Sequence, residues 1–136
     1  MKQHHRDYFD RQVERVLARL PRNVLRILKE VPLHVEDQPP KQLMQELEIE
    51  DPEEICGYFS GIPYGEANVL GLLSGTDVPL PSYVTIFRRG IVAEAQDEWG
   101  KIGRNNLRQQ IRITILHELA HLHGMDEDEV MELGYG

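Results

Sequence analysis

A chain of 136 residues with 40% hydrophobic content can build one domain around one core and leaves no room for a second. Its 23 acidic against 15 basic residues give a net charge of −8, which argues against the basic footprint that a nucleic-acid or anionic-membrane surface requires. No stretch reaches the length of a membrane span, the first residues are polar, and the single Cys56 permits no internal disulfide, so the expected setting is the reducing cytoplasm.

Over residues 8–20, Phe9, Val13, Val16, Leu17 and Leu20 recur at helical spacing and predict an amphipathic helix that stops near Pro21. His4 and His5 ahead of it read as part of a polar terminus. A further helical turn or two is expected at Val24, Leu25, Ile27 and Leu28. Val31, Leu33 and Val35 then alternate with Pro32, His34 and Glu36, the period of a half-buried strand with His34 on its polar side. After a turn at 37–40, Leu43, Met44 and Leu47 predict a short helix begun by the paired prolines. Asp51, Pro52 and Glu54 form another helix start, with Asp51 as the cap. The acids Glu46, Glu48, Glu50, Asp51, Glu53 and Glu54 lack the spacing of a calcium loop and read as a solvated charge run.

Glycines are dense from 57 to 75, where Tyr58, Phe59, Ile62 and Tyr64 are expected in a long loop or irregular segment and Leu70, Leu72 and Leu73 can supply a buried strand or anchor. Residues 83–87, YVTIF, are β-branched and aromatic and predict a strand closed by Arg88, Arg89 and Gly90. Pro79 and Pro81 at its entrance favour an edge position, from which an extended peptide could be added to the sheet. A short helix is expected over 91–99, ending at Gly100, with Trp99 as a core or lid aromatic. Cys56 reads as a small buried hydrophobe.

The last long helix is expected to begin at Asn105 or Asn106, with Leu107, Ile111, Ile115, Leu119 and Leu122 as its apolar stripe. His117 and His121, four residues apart, fall on one face of it, close enough for both imidazoles to reach one ion. Glu118 lies at an adjoining angle, where it addresses a metal-bound water rather than the metal. This is the H-E-x-x-H arrangement of zinc proteases. Gln110 and Thr114 share the histidine face, a narrow polar strip on an otherwise apolar helix, which points to an internal site. A hydrolytic zinc site carries three protein ligands and an open position. Gly124 can end the helix and reverse the chain, so Glu127, ten residues after His117, completes H-E-x-x-H-x-x-G-x-x-E, the metzincin spacing with a carboxylate in place of the third histidine. Asp126 is the competing carboxylate, but with Glu129 it fits a capping box for a last short helix. His123 is off the spacing and reads as a surface or supporting histidine.

Together these segments resemble the small bacterial zincin-like metallopeptidases, and the resemblance covers nearly the whole chain. It runs through LARLP, PLHVEDQPP, VLGLLSG, LPSYVTIFRRGI, IRITILHELAHLHGMDED and ELGYG, with HELAHLHGMDE as its specific part. It implies an α+β, minimal zincin-like fold, a small mixed sheet packed on an active-site helix, and a carboxylate ligand after the glycine. The expected activity is peptide-bond hydrolysis with Zn²⁺ held by His117, His121 and Glu127 and with Glu118 as general base. Tyr83, Tyr135, Arg88 and Arg89 are the candidate groups for stabilising transition-state charge. The expected partner is a peptide or protein substrate, added to strand 83–87. Two rival readings are a metal-dependent endoribonuclease, a family with similar ligand spacing but no glutamate after its first histidine, and a metal-binding module with little turnover.

Overall fold

The computed structural model describes residues 1–60 and 82–122. Its elements follow in the order α1 (Gln3–Leu17), α2 (Arg22–Glu30), β1 (Leu33–Glu36), α3 (Lys41–Glu46), a 3-10 turn (Pro52–Glu54), β2 (Gly57–Ser60), β3 (Tyr83–Phe87), α4 (Arg88–Ala95) and α5 (Arg104–Leu122). Helices with one small mixed sheet make the fold α+β, as expected.

The apolar stripe of α5 organises the core. Leu107, Ile111, Ile115 and Leu119 recur one turn apart on the same side of the helix and are all buried. They join Phe9, Val13 and Val16 of α1, Val84 and Ile86 of β3, and Ile91 of α4 in one cluster. The period-two pattern of β3 decides which side of the sheet meets these helices. Val84 and Ile86 are fully buried on the α5 side, so Tyr83, Thr85 and Phe87 belong to the other face.

The sheet order is β1-β3-β2, with β1 parallel to β3, Leu33 opposite Val84, and β2 antiparallel, Gly57 opposite Ile86. Residues 83–87 therefore form the central strand, which corrects the edge position expected from Pro79 and Pro81. Those prolines precede the strand in sequence and remove no donor from the ladder of 83–87, whose two sides are taken up by β1 and β2. A second correction concerns residues 57–60, expected in an irregular segment and found as strand β2. The segment 62–75, with Ile62, Tyr64 and the anchor expected from Leu70, Leu72 and Leu73, lies outside the described residues.

The turn from β3 into α4 is tighter than expected: the helix begins at Arg88, directly after Phe87, and ends at Ala95. Gly90 permits this, because a Cβ there would lie 1.8 Å from the Ile55 carbonyl oxygen. Arg88 then ties three elements together. Its Nε and Nη2 donate to both carboxylate oxygens of Asp10 on α1, at 3.0 and 2.9 Å, and its Nη1 donates to Asp37, beyond β1, at 2.9 Å. Asp37 also accepts from Arg6 Nε and Nη2. These guanidiniums hold its carboxyl below the usual carboxylate range, first through the Arg6 hydrogen bond and then through Arg88.

Trp99 is not a core residue. It is 79% exposed, on a protruding turn where Asp97 Oδ1 accepts from the backbone N–H groups of Trp99 and Lys101 and Gly100 adopts a φ of 75°. Helix α5 starts at Arg104, one or two residues before the expected asparagines.

Candidate metal centre

The polar strip of α5 begins at Gln110. Thr114, buried, donates its hydroxyl to the Gln110 carbonyl oxygen at 2.8 Å, so its methyl points away from that bond and toward β2. Gly57 of β2 lies beneath it. A Cβ on Gly57 would stand 2.8 Å from Thr114 Cγ2, 3.1 Å from Glu118 Cγ and 3.2 Å from the Thr85 carbonyl oxygen. Only hydrogen at this position lets α5 settle onto the strand, and that close approach seats Glu118, whose side chain is 10% exposed.

One turn further on, His117 and His121 converge. Their Nε2 atoms are 2.9 Å apart, their ring centroids 4.6 Å apart and their ring planes inclined at 71°. As a hydrogen-bonded pair, one ring donates and the other accepts. The same convergence suits a shared cation: zinc binds imidazole nitrogen at about 2.0–2.1 Å, and two such nitrogens in tetrahedral geometry stand about 3.3 Å apart. The rings are within a few tenths of an ångström of that separation. Glu118 Oε1 lies 3.9 Å from His117 Nε2, beside the pair and turned back toward the sheet.

Phe59, expected in an irregular segment, is part of this site. It faces α5 from β2, and its ring is nearly parallel to that of His121, with centroids 6.1 Å apart and an interplanar angle of 21°. The signal that could have found it is the spacing from Gly57: two residues on, it must share the glycine's face of the strand.

The other candidates separate by geometry. The contacts of Gly57 and Phe59 show α5 running from the Ile86 end of β3 toward the Val84 end, so His121 lies away from the Arg88 end of the sheet. Arg88 is engaged by Asp10 and Asp37, while Arg89 donates to Gln38 and pairs with Glu53. Tyr83 is on the opposite face of the sheet, stacked on His34 at 4.8 Å. There the two line a cleft of about 580 Å³ with Tyr58, Ser60 and α3. None of the three reaches the histidine pair. Cys56 packs partly buried against the core, and its thiol is pushed up to about 11, by burial first and then by the Glu94 charge. It is no nucleophile near neutral pH.

Among the described residues, no cluster of three metal-ligating side chains forms. His117 and His121 supply two such groups; Glu127, its rival Asp126, and His123, Gly124 and Tyr135 all lie outside the described residues. What the arrangement provides chemically is two imidazoles aimed at one point and a shielded carboxylate beside them.

Residues 28–136 match a family described as zincin-like metallopeptidase, a match that spans well over half of the chain. Comparison with curated proteins gives no match.

Proposed function

The chain belongs to the zincin-like metallopeptidase family, and from that premise we propose that it hydrolyses peptide bonds at a zinc ion held by His117, His121 and Glu127, with Glu118 as general base. The observation that carries this reading is the convergence of the two Nε2 atoms to 2.9 Å on the helical turn that also bears Glu118. Glu127 enters by its spacing after His121 and Gly124.

Zinc, when bound, supplies a Lewis acid for the scissile carbonyl and brings the pKa of a water down to about 7. The chain's own groups do the rest. Glu118 accepts a proton from the attacking water and delivers it to the nitrogen of the leaving amine as the C–N bond breaks. Its packing against Gly57 holds the carboxylate in one place and limits competition from solvent. Phe59 restrains the His121 ring through their stacked contact. The outer edge of β2 pairs with no other strand among the described residues and runs beside these groups. A substrate peptide in extended form would add to the sheet there, rather than at the central strand 83–87. No described helix is long and apolar enough to cross a membrane, and the proposed setting is the cytoplasm.

The test is Glu118→Gln in parallel with His121→Ala and Glu127→Ala. The first should keep near-stoichiometric zinc while peptide hydrolysis falls by 100-fold or more, roughly the contribution of a positioned acid–base group; the other two should lose the metal. Unchanged hydrolysis in Glu118→Gln would remove that residue from the mechanism. RNA cleavage by the zinc-loaded protein, or tight zinc with no hydrolysis across a diverse peptide library, would overturn the peptidase reading.

A further inference from the structure

Two groups stand out among the described arginines. Arg6, Arg88 and Arg89 are each paired with a carboxylate, from Asp37, Asp10 or Glu53. Arg15 in the last turn of α1 and Arg19 in the turn that follows it face Arg108 and Arg112, one turn apart on α5, across a groove of about 220 Å³ completed by Val16 and Gln109. Among the described residues no carboxylate comes within ion-pair distance of these four. In a chain where acids outnumber bases by 23 to 15, four guanidiniums collected with no counter-charge among the described residues is the reverse of what the composition favours. Like charges at this range repel, and Arg108 registers it: its guanidinium falls below its ordinary value through desolvation and then through Arg104, Arg15 and Arg19.

The cluster is also built rather than loose. Gln12 of α1 is buried, and its Oε1 accepts from Arg108 Nε at 2.6 Å, fixing the guanidinium at the mouth of the groove. On α5, positions 108 and 112 stand about 120–180° around the helix from Thr114, His117 and His121 at about 100° per residue. The groove therefore opens away from the histidine pair.

We propose that the groove between α1 and α5 is a docking site for an acidic segment of a partner protein, one that carries carboxylates a helical turn apart. Each guanidinium offers a planar fork matched to a carboxylate, the one-turn spacing of Arg108 and Arg112 on α5 fits groups about 5–6 Å apart, and Val16 with the arginine stems gives an apolar floor. A long polyanion fits less well, because beyond the patch it meets a surface of net negative charge.

The experiment titrates a fluorescent helical peptide bearing glutamates at i and i+4 into the zinc-loaded full chain, with a single-stranded RNA of equal charge, inorganic phosphate and anionic vesicles as parallel arms. Arg15→Glu with Arg112→Glu is the variant of choice, since both residues are exposed and neither carries the Gln12 contact. The peptide should bind at low salt, weaken with added salt, and lose at least tenfold in affinity in the double variant, with zinc content unchanged. Peptide binding that the double variant leaves intact, no peptide binding at low salt, or tighter binding of the RNA, the vesicles or phosphate alone would each overturn the proposal. Because zinc content and peptide hydrolysis are measured on the same samples, failure here is distinguishable from failure of the peptidase reading.

Discussion

Replacing Gly57 by alanine puts the seating of Glu118 to a direct test. The added methyl would start 2.8 Å from Thr114 Cγ2 and 3.1 Å from Glu118 Cγ, and the carbonyl oxygen of Thr85 blocks retreat at 3.2 Å. Neither α5 atom can yield easily: Thr114 is held by its bond to the Gln110 carbonyl, and the helix beneath is locked by Ile111, Ile115 and Leu119. Overpacking a close-packed contact costs about 1–3 kcal/mol, while the lower entropy of the unfolded chain returns about 0.4–1 kcal/mol. The expected net loss is about 1–2 kcal/mol, a fall in Tm of roughly 3–8 °C for a chain of this size. Peptide hydrolysis should fall by more than the folded fraction, since a shift of a few tenths of an ångström acts on the proposed general base itself. Urea unfolding gives the first quantity, and kcat measured well below Tm gives the second. A variant with unchanged midpoint and unchanged kcat would refute the claim that the bare backbone of β2 positions the carboxylate.

Three further predictions concern the scaffold. Ile111→Ala, at a fully buried position, should lose about 2–5 kcal/mol in urea unfolding; a loss under 1 kcal/mol would mean that α5 is not the centre of the core. Asp37 has its folded pKa lowered from 3.8 by Arg6 and Arg88, so the stability it contributes is fully present above that unfolded value and is lost as pH falls through the folded one. Wild type and Asp37→Asn should therefore differ in stability by a constant amount above about pH 5 and converge below pH 4, and parallel curves through pH 3 would contradict the assignment. Cys56, with its thiol pushed up to about 11 from 9.0, should react with iodoacetamide at pH 8 roughly 100-fold more slowly in the folded protein than in urea, following its thiolate fraction; equal rates would place the thiol in solvent.

The parts legible in the sequence are those governed by short-range repetition. The buried stripe from Leu107 to Leu119 and the His117–His121 pair follow from spacings of four on a single helix, and both stand where periodicity puts them. Strand 83–87 was equally plain, but its rank in the sheet was not. Edge or centre depends on which distant strands arrive, and the nearby prolines carry no information about β1 and β2. Strand β2 was hidden for a related reason: glycine at 57 is a poor strand former, and its presence is explained only by the helix that crosses it. Sequence alone leaves Arg88 and Arg89 as candidate cations for transition-state charge, because the partners that occupy them, Asp10, Asp37 and Glu53, lie 36 to 78 residues away in sequence. The proposed third ligand, Glu127, rests on spacing after Gly124 and lies outside the described residues.

Helix α5 interleaves its two kinds of residue: Ile115 and Leu119 go inward on the same two turns from which His117, Glu118 and His121 emerge. Within α5 no hinge separates these three side chains from the buried ones, and the described helix cannot fray inward without emptying the middle of the molecule. Heating should accordingly cause inactivation and melting to superpose along one curve, with no temperature at which an intact body carries a slack catalytic centre.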